Sequence, residues 1–168
     1  MQDKSQNRYS KDDVLEKDGI TYLKIDMKPV NGVVCSSYED GQLEYEWNYK
    51  DGEEDGLCRS WHENGQLEAQ WNYKDGEYDG LCRSWHDNGQ LRYEVKYKDG
   101  KQDALFRRYY ENGQLSGEGI YKDGEKDELF RAWHENGQLY YEENYQDGER
   151  ISEKRWDING NLTKDKTY

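Results

Sequence analysis

The chain repeats itself at a fixed interval, and this repeat constrains its fold more than any other feature. Two glycine-containing segments, one with GQL and one with DG, recur every 24 residues, and a final NGNL follows after 23. Such a period is typical of an array in which each unit buries its apolar side against its neighbours. One unit is too small to fold alone. The glycines are Gly41, Gly65, Gly89, Gly113, Gly137 and Gly160 in the first segment and Gly52, Gly76, Gly100, Gly124 and Gly148 in the second.

Each unit contains two short segments in which apolar and polar residues alternate. In the second complete unit Leu67, Ala69, Trp71 and Tyr73 alternate with polar side chains. Period-two alternation bounded by ENG and KDG predicts a strand, a turn, a second strand and a second turn. The predicted fold class is therefore all-β, a repeat array of antiparallel β-hairpins forming one long twisted meander sheet of about a dozen strands.

The corner sequences predict where the chain turns and which residues face each other. Asn-Gly or Asp-Gly suits a three-residue hairpin turn in which glycine adopts a positive φ. If His62 and Gln66 flank this turn, a set of facing pairs follows, which we expect to form an apolar face. These pairs are Trp61 with Leu67, Arg59 with Ala69 and Leu57 with Trp71. The opposite, polar face would then carry Cys58, Ser60, Glu68 and Gln70.

The ends of the chain depart from the regular pattern. Residues 1–12 are predicted to be a flexible leader. Residues 13–40 form an irregular N-terminal hairpin and capping unit, with a hairpin about Asp18 and Gly19. Residues 41–146 hold the regular 24-residue hairpin repeats. Residues 147–168 form a C-terminal capping unit, whose atypical sequence is what covering an open sheet edge requires.

Two regular units break the pattern at one position. Ala104 and Glu128 stand where the earlier units have Gly56 and Gly80. Because glycine reaches backbone conformations that other residues avoid, we expect a different local turn in these two units.

The charge balance indicates which partners the chain can bind. The net charge is −13, whereas nucleic acids and anionic membranes need Lys and Arg on their binding partner. We therefore expect neither of them and favour another protein, a basic one or a toxin. The three cysteines form no CxxC pair, and no apolar run approaches the ~20 residues that span a bilayer. A cytoplasmic location is predicted, or a secreted or surface one if a signal peptide has been removed.

Units such as ENGQLEAQWNYKDGEYDGLCRSWH resemble the bacterial variant of the MORN repeat. The arrangement of NGQL, YKDG and DGL segments over residues 28–162 resembles the YwqK family of antitoxin-like proteins. The resemblance implies an antiparallel sheet of stacked hairpins that holds proteins together or neutralises a toxin by binding it.

One set of residues is a candidate binding site. An arginine precedes an aromatic residue by two positions in four successive units, so that both side chains share a face of the sheet. Each guanidinium could lie over an aromatic ring and help to close that face by packing. Alternatively, the set forms a stripe that docks a protein, because Arg and aromatic residues are enriched at interface hot spots. The residues are Arg59, Trp61, Arg83, Trp85, Arg107, Tyr109, Arg131 and Trp133.

Other recurrent residues have simpler explanations. His62, His86 and His134 share one repeat position, where neighbours lie roughly 10 Å apart, too far to share a zinc ion with bonds of about 2 Å. They are interpreted as residues flanking the turns. The acidic connections, such as Asp51 to Asp55, fit turn chemistry and solubility better than calcium binding, because they lack known calcium-loop spacings. No metal or cofactor is expected.

The sequence carries no motif of a known catalytic site, and residues repeated in register form a periodic surface rather than one asymmetric constellation. We therefore predict a non-catalytic protein-interaction module, for example an antitoxin or immunity protein. An exposed apolar face must be covered by folding on itself, by a homodimer or by a partner. The alternatives are a secreted or cell-surface repeat protein that binds glycan, cell wall or host surface, and a structural scaffold.

Overall fold

The computed structural model describes residues 6–168, which form eighteen β-strands and one short 3-10 turn, Lys11–Asp13. No helix in this part of the chain is long and apolar enough to cross a bilayer. The predicted all-β class is confirmed. The strands are β1 (Arg8–Ser10), β2 (Val14–Lys17), β3 (Ile20–Leu23), β4 (Gly32–Ser37), β5 (Leu43–Lys50), β6 (Glu53–Glu54), β7 (Gly56–Trp61), β8 (Leu67–Lys74), β9 (Glu77–Tyr78), β10 (Gly80–Trp85), β11 (Leu91–Lys98), β12 (Lys101–Gln102), β13 (Ala104–Tyr109), β14 (Leu115–Lys122), β15 (Glu125–Trp133), β16 (Leu139–Gln146), β17 (Glu149–Trp156) and β18 (Leu162–Thr167).

Sixteen of these strands form one open sheet. Its order is β1-β4-β5-β7-β8-β10-β11-β13-β14-β15-β16-β17-β18, and the short strands β6, β9 and β12 pair with β5, β8 and β11. From β4 onward each strand pairs antiparallel with the next strand of the path, as predicted for a meander. At the first edge β1 instead pairs parallel with β4.

The two corners of a unit are different turns. At the ENG corner the amide of His62 donates to Gln66 O at 2.9 Å, and Gly65 has a φ of +79°. This is the predicted three-residue turn. At the KDG corner Asp51 and Gly52 both have positive φ and no further residue separates the paired Lys50 and Glu53. A three-residue turn there is therefore wrong, because two successive residues with positive φ make a two-residue type I′ hairpin.

A β-bulge in each ENG-type hairpin shifts the register by one residue. Ser60 faces Ala69 whereas Trp61 faces Leu67, so that Glu68 is an extra residue in β8. A one-residue shift moves every later side chain to the other face of the sheet. The pairing of Trp61 with Leu67 is confirmed. The pairings of Arg59 with Ala69 and of Leu57 with Trp71 are wrong, because the partners are Arg59 with Gln70, Leu57 with Asn72 and Cys58 with Trp71.

The bulge also changes which residues share a face. We call the side that carries Cys58, Ala69 and Trp71 the inner face and the side that carries Arg59 and Gln70 the outer face. The inner face of the repeats holds most of the buried hydrophobic residues. The prediction of one apolar and one polar face is wrong, since Trp47 and Trp71 lie on the inner face and Trp61, Trp85, Trp133 and Trp156 on the outer. The buried residues include Val34, Cys58, Ala69, Cys82, Val95, Phe130 and Ala132.

The N-terminal segment covers the first KDG corner. The predicted hairpin about Asp18 and Gly19 is present as β2 and β3. The amide of Thr21 donates to Gly52 O at 2.8 Å, and the amide of Gly52 donates to Val30 O at 2.9 Å. Val30 is fully buried beneath this contact.

The flexible leader was predicted for residues 1–12. Residues 1–5 lie outside the described residues, but β1 and the 3-10 turn that follows it give residues 8–12 regular structure. The sequence did not reveal β1, because three polar or aromatic residues carry no alternation that distinguishes them from a tail. At the opposite edge β18 is exposed along its whole length. Its Lys164 and Lys166 are typical of edge strands that avoid pairing with other chains.

Of the two units that lack this glycine, the unit of Ala104 keeps the backbone of the earlier units and the unit of Glu128 differs from it. Ala104 has a φ of +141° and follows a break between β12 and β13, as Gly56 does between β6 and β7. At Glu128, by contrast, β15 runs on without a break. There the irregularity lies in β14, between Glu118 and Ile120.

Candidate functional site

A row of charged residues crosses the outer face from strand to strand. Each member faces the next across a ladder of backbone pairs, and cations alternate with anions except at one glutamine. In order, the row is Glu46, Arg59, Gln70, Arg83, Glu94, Arg107, Glu118, Arg131, Glu142, Lys154 and Asp165.

Three of the four arginines of this row are paired with carboxylates rather than stacked on rings. Arg83 Nε lies 3.2 Å from Glu94 Oε2, and Arg131 Nε lies 3.0 Å from Glu142 Oε2. Arg107 Nε lies 3.6 Å from Glu118 Oε2. The cation–π contacts of residues 6–168 involve other cations, namely Lys126, Arg150 and Lys166. At Arg83, Arg107 and Arg131 the predicted stacking of the guanidinium group is therefore replaced by cross-strand ion pairs, because the register puts a carboxylate directly opposite.

The aromatic members of the candidate site lie on the same face beside the charged row. Trp61, Trp85, Tyr109 and Trp133 face leucines across the three-residue turns. The structure thus brings the eight candidate residues together as one stripe on the outer face, which we call the outer stripe. The side chains of its arginines at 83, 107 and 131 are 37%, 40% and 39% exposed and open to a partner. Partner binding by the stripe stays a prediction.

The histidines join successive units. His62 Nε2 lies 3.1 Å from Trp85 O, and His86 Nε2 lies 3.1 Å from Tyr109 O. In the next unit the hydroxyl of Tyr110 donates to Trp133 O at 2.7 Å. Because a carbonyl oxygen only accepts, each imidazole must carry a hydrogen on Nε2. We call these contacts the rim bonds. Among residues 6–168 no group of three or more His, Cys, Asp or Glu side chains is placed to hold a metal ion.

The inner face holds two thiols in an apolar setting. Cys58 and Cys82 are fully buried and free. Burial raises the pKa of the Cys58 thiol to about 11 and also raises that of Cys82. Both thiols therefore stay protonated at neutral pH and are weak nucleophiles.

The C-terminal part of the inner face is ionic instead. Glu143 and Glu153 face each other across β16 and β17 and are almost completely buried. Lys164 Nζ and the Tyr168 hydroxyl each lie 2.8 Å from Glu153 Oε2, and Arg155 contacts the other oxygen. The hydrogen bond from Lys164, supported by Tyr168 and Arg155, lowers the pKa of Glu153 to about 2.

A cation is also bound to the second carboxylate of this network. Arg150 Nη1 lies 2.7 Å from Glu143 Oε1, and the Tyr145 hydroxyl donates to Glu143 Oε2 at 2.9 Å. Two opposed carboxylates are stable here because several cations surround them. The sequence did not reveal this network, because its contacts between strands, such as those of Lys164 with Glu153 and of Arg150 with Glu143, form only through strand register.

A family model described as MORN repeat variant matches residues 30–51, 54–75, 78–99, 102–123 and 129–147. The curated proteins include no match to the chain. MORN repeats are non-catalytic modules that are generally associated with binding proteins or membranes. The matched segments cover most of the chain and follow the 24-residue hairpin units of the sheet, so the chain belongs to the MORN repeat variant family.

Proposed function

We propose that the protein is a non-catalytic protein-interaction module and that the outer stripe is its docking surface. The observation that carries this proposal is the repetition of one Arg and aromatic pair on the same face of four successive units. Trp, Tyr and Arg are the residue types that most often dominate the binding energy of protein interfaces.

The ion pairs of the stripe support docking because they fix three of its four arginines before a partner arrives. Glu94 contacts both Arg83 and Arg107, and Glu142 contacts Arg131. A side chain that is already ordered loses less conformational entropy on binding. The aromatic rings next to these arginines supply apolar area, and the strand spacing sets a regular distance between anchors. The stripe is thus a pre-arranged, periodic surface.

The finer proposal is an antitoxin or immunity role, in which the module neutralises a basic toxin by covering its surface. The resemblance to the bacterial MORN variant and to the YwqK family supports it. The net charge of −13 also supports it, since opposite charge speeds association and suppresses wrong partners.

The stripe is tested with the variant Arg83→Ala plus Arg107→Ala. A protein captured from the native host is identified and purified, and its affinity for wild type and variant is measured by calorimetry. We expect Kd to rise at least about tenfold, as for loss of a hot spot. The matched control, Lys98→Ala plus Lys122→Ala, removes the same charge from exposed residues at the KDG corners and should leave Kd unchanged. Equal affinity of all three proteins would exclude docking through the stripe.

The antitoxin role has a separate test. The captured protein is expressed in the host with and without the repeat protein, and growth is measured. Growth arrest that the wild-type repeat protein relieves, and the Arg83→Ala plus Arg107→Ala variant does not, is the expected result. A captured protein that leaves growth unaffected when expressed alone would contradict neutralisation, and self-association with no other ligand would favour a scaffold.

A further inference from the structure

In the first two units a serine on the inner face pairs with a glutamate at the bulge. Ser36 Oγ donates to Glu44 Oε2 at 2.6 Å, and Ser60 Oγ donates to Glu68 Oε2 at 2.8 Å. In both units the glutamate is the extra residue of the bulge, which directs its carboxylate onto the inner face. The first two units thus contain a carboxylate at a defined place on this face.

In the third unit the carboxylate has been replaced by a cation. Ser84 is the equivalent serine, but the bulge residue is Arg92. Ser84 is 6% exposed, and its Oγ is the one buried side-chain N or O atom of residues 6–168 that lacks a hydrogen-bond partner. A buried hydroxyl without a partner costs about 1–3 kcal/mol. The third unit therefore lacks the acceptor that its own pattern requires.

A second cation enters the same region from the next strand. Arg108 stands where the three preceding units have serine, and it faces Tyr93, which in turn faces Ser84. Its Nε donates to Ser116 Oγ at 3.2 Å. Among residues 6–168 neither Arg92 nor Arg108 has a carboxylate oxygen within 4.0 Å, the distance at which the other ion pairs of the sheet occur.

Both guanidinium groups line one cleft of about 540 Å³ at the border of the inner face and the three-residue turns. His86, Tyr110 and Ser116 also line it, and Glu111 and Glu135 contribute to its wall. Arg92 and Arg108 are themselves exposed. In a chain with a net charge of −13, two neighbouring exposed arginines without ion pairs form a local site for a negative group.

We propose that this cleft binds a carboxylate from an acidic segment of a protein partner, held between Arg92 and Arg108. The carboxylate takes the place that Glu44 and Glu68 fill in the first two units. The inference rests on the proposed function, since it assumes that the chain binds proteins. The cleft adjoins the outer stripe at Tyr109, but its two arginines are not members of that stripe.

The structure favours a carboxylate because the chain itself places one at the equivalent position twice. Arg binds carboxylates through two parallel hydrogen bonds, and charge-assisted bonds of this kind are about twice as strong as neutral ones. Phosphate offers similar acceptors, but no unit of this array provides a precedent for it. The test must therefore distinguish a carboxylate ligand from a phosphorylated ligand or inorganic phosphate.

The test uses a hexaglutamate peptide with blocked ends, titrated into the full ¹⁵N-labelled chain and followed by NMR. We expect saturable shifts of the backbone amides of Ser84, Arg92 and Arg108, and weaker binding at higher salt. Inorganic phosphate is titrated in parallel. Saturation by phosphate together with no response to hexaglutamate would overturn the carboxylate assignment.

Two variants restore the pattern of the earlier units. Arg92→Glu supplies an internal acceptor for Ser84, so it should fold, unfold at a higher temperature and bind hexaglutamate at least about tenfold more weakly. Arg108→Ser should weaken binding in the same direction. Lys98→Glu is the matched control, since it changes the charge by the same amount at an exposed corner and should keep wild-type affinity.

Equal loss of affinity in Arg92→Glu and Lys98→Glu would show a general charge effect and overturn the site. Failure of this inference is distinguishable from failure of the proposed function. If hexaglutamate leaves the cleft unaffected while Arg83→Ala plus Arg107→Ala still loses the captured protein, only the cleft is wrong. If the cleft binds and that double variant keeps its partner, only the outer stripe is wrong.

Discussion

The two ends of the inner face are held together by different interactions. Near the start of the repeats Trp47 packs against Trp71 with ring centroids 6.4 Å apart, beside the fully buried Cys58. Near the end the same rows of the sheet contain Glu143 and Glu153 with their cations. The three-residue turns and the bulges beside them nevertheless keep the same pattern at both ends. An apolar interior is therefore not what determines the shape of a unit.

This difference indicates that the turns and bulges determine the hairpin, whereas the inner side chains have only to meet each other's packing, charge and hydrogen-bonding requirements. The apolar end gains stability by removing apolar area from water. At the ionic end, the desolvation of two carboxylates must be offset by several cations and hydroxyl groups. Each end therefore tolerates different substitutions, and the following predictions separate them in order of decreasing effect.

The largest effect is expected from a carboxylate placed at the apolar end. Cys58→Asp puts a charge against Trp71, where no cation compensates it, and should lower the free energy of unfolding by about 3–5 kcal/mol. Urea denaturation at pH 7 measures the change. Cys58→Asn and Cys58→Ala separate the charge from polarity and volume. A loss for Cys58→Asp no larger than for Cys58→Asn would show that the two ends do not differ in their tolerance of charge.

The next effect concerns the junction of the two ends, where Phe130 faces Glu143. Phe130 is 4% exposed, and its ring occupies the space that a Cβ on Gly119 would need. Phe130→Ala should cost about 3 kcal/mol, and Gly119→Ala about 1–3 kcal/mol through overpacking. In the double variant the added methyl group enters the space that the ring has left. Its loss should be smaller than the sum, and strict additivity by urea denaturation would contradict the contact.

A smaller effect, confined to the ionic end, is expected from acid. The pKa of Glu153 is about 2, below its ordinary value of 4.5, because Lys164 hydrogen-bonds to its charged form. A lowered pKa contributes stability that is complete above pH 4.5 and is lost as the pH falls toward 2. Wild type should therefore lose its stability advantage over Glu153→Gln across this window, followed by denaturation at several pH values. A difference that stays constant down to pH 2 would contradict the assignment.

The smallest effect tests the backbone alone. Ala104 has a φ of +141°, at a position where Gly80 has +105°. Ala104→Gly should raise stability by about 1 kcal/mol by relieving strain, and Gly80→Ala should lower it by a similar amount. Thermal unfolding of both variants gives the measurement. A change of stability in the same direction for both substitutions would contradict the claim that the positive φ shared by these two positions determines the effect.

The sequence predicted the strands and one of the two turns because the repeat fixes their positions. The bulge could not be predicted, since apolar and polar residues alternate in sequence across Glu68 as they would in a regular strand. The KDG corner was assigned the wrong turn because an Asp-Gly pair suits both two-residue and three-residue hairpins. Asp51 with a positive φ is visible only in the structure.

The candidate site was predicted in part. Arg83 and Trp85 share a face because they are two residues apart on one strand, which the sequence shows directly. That Arg83 meets Glu94 depends on the strand register, which one bulge changes. The cleft at Arg92 was not predicted either. The sequence does contain a signal for it, because Arg92 occupies the repeat position that holds Glu44 and Glu68 in the two earlier units.

The rim bonds determine how such a molecule can grow. Each uses a side chain of one unit as donor and a main-chain carbonyl of the following unit as acceptor, as between His62 and Trp85. The acceptor belongs to the peptide backbone, so it is present whatever amino acid occupies that position. A tandem duplication of one 24-residue segment would consequently arrive with its own donor and would meet an acceptor at the junction. The chain can lengthen by whole copies without any compensating substitution, and its surface can diversify afterwards.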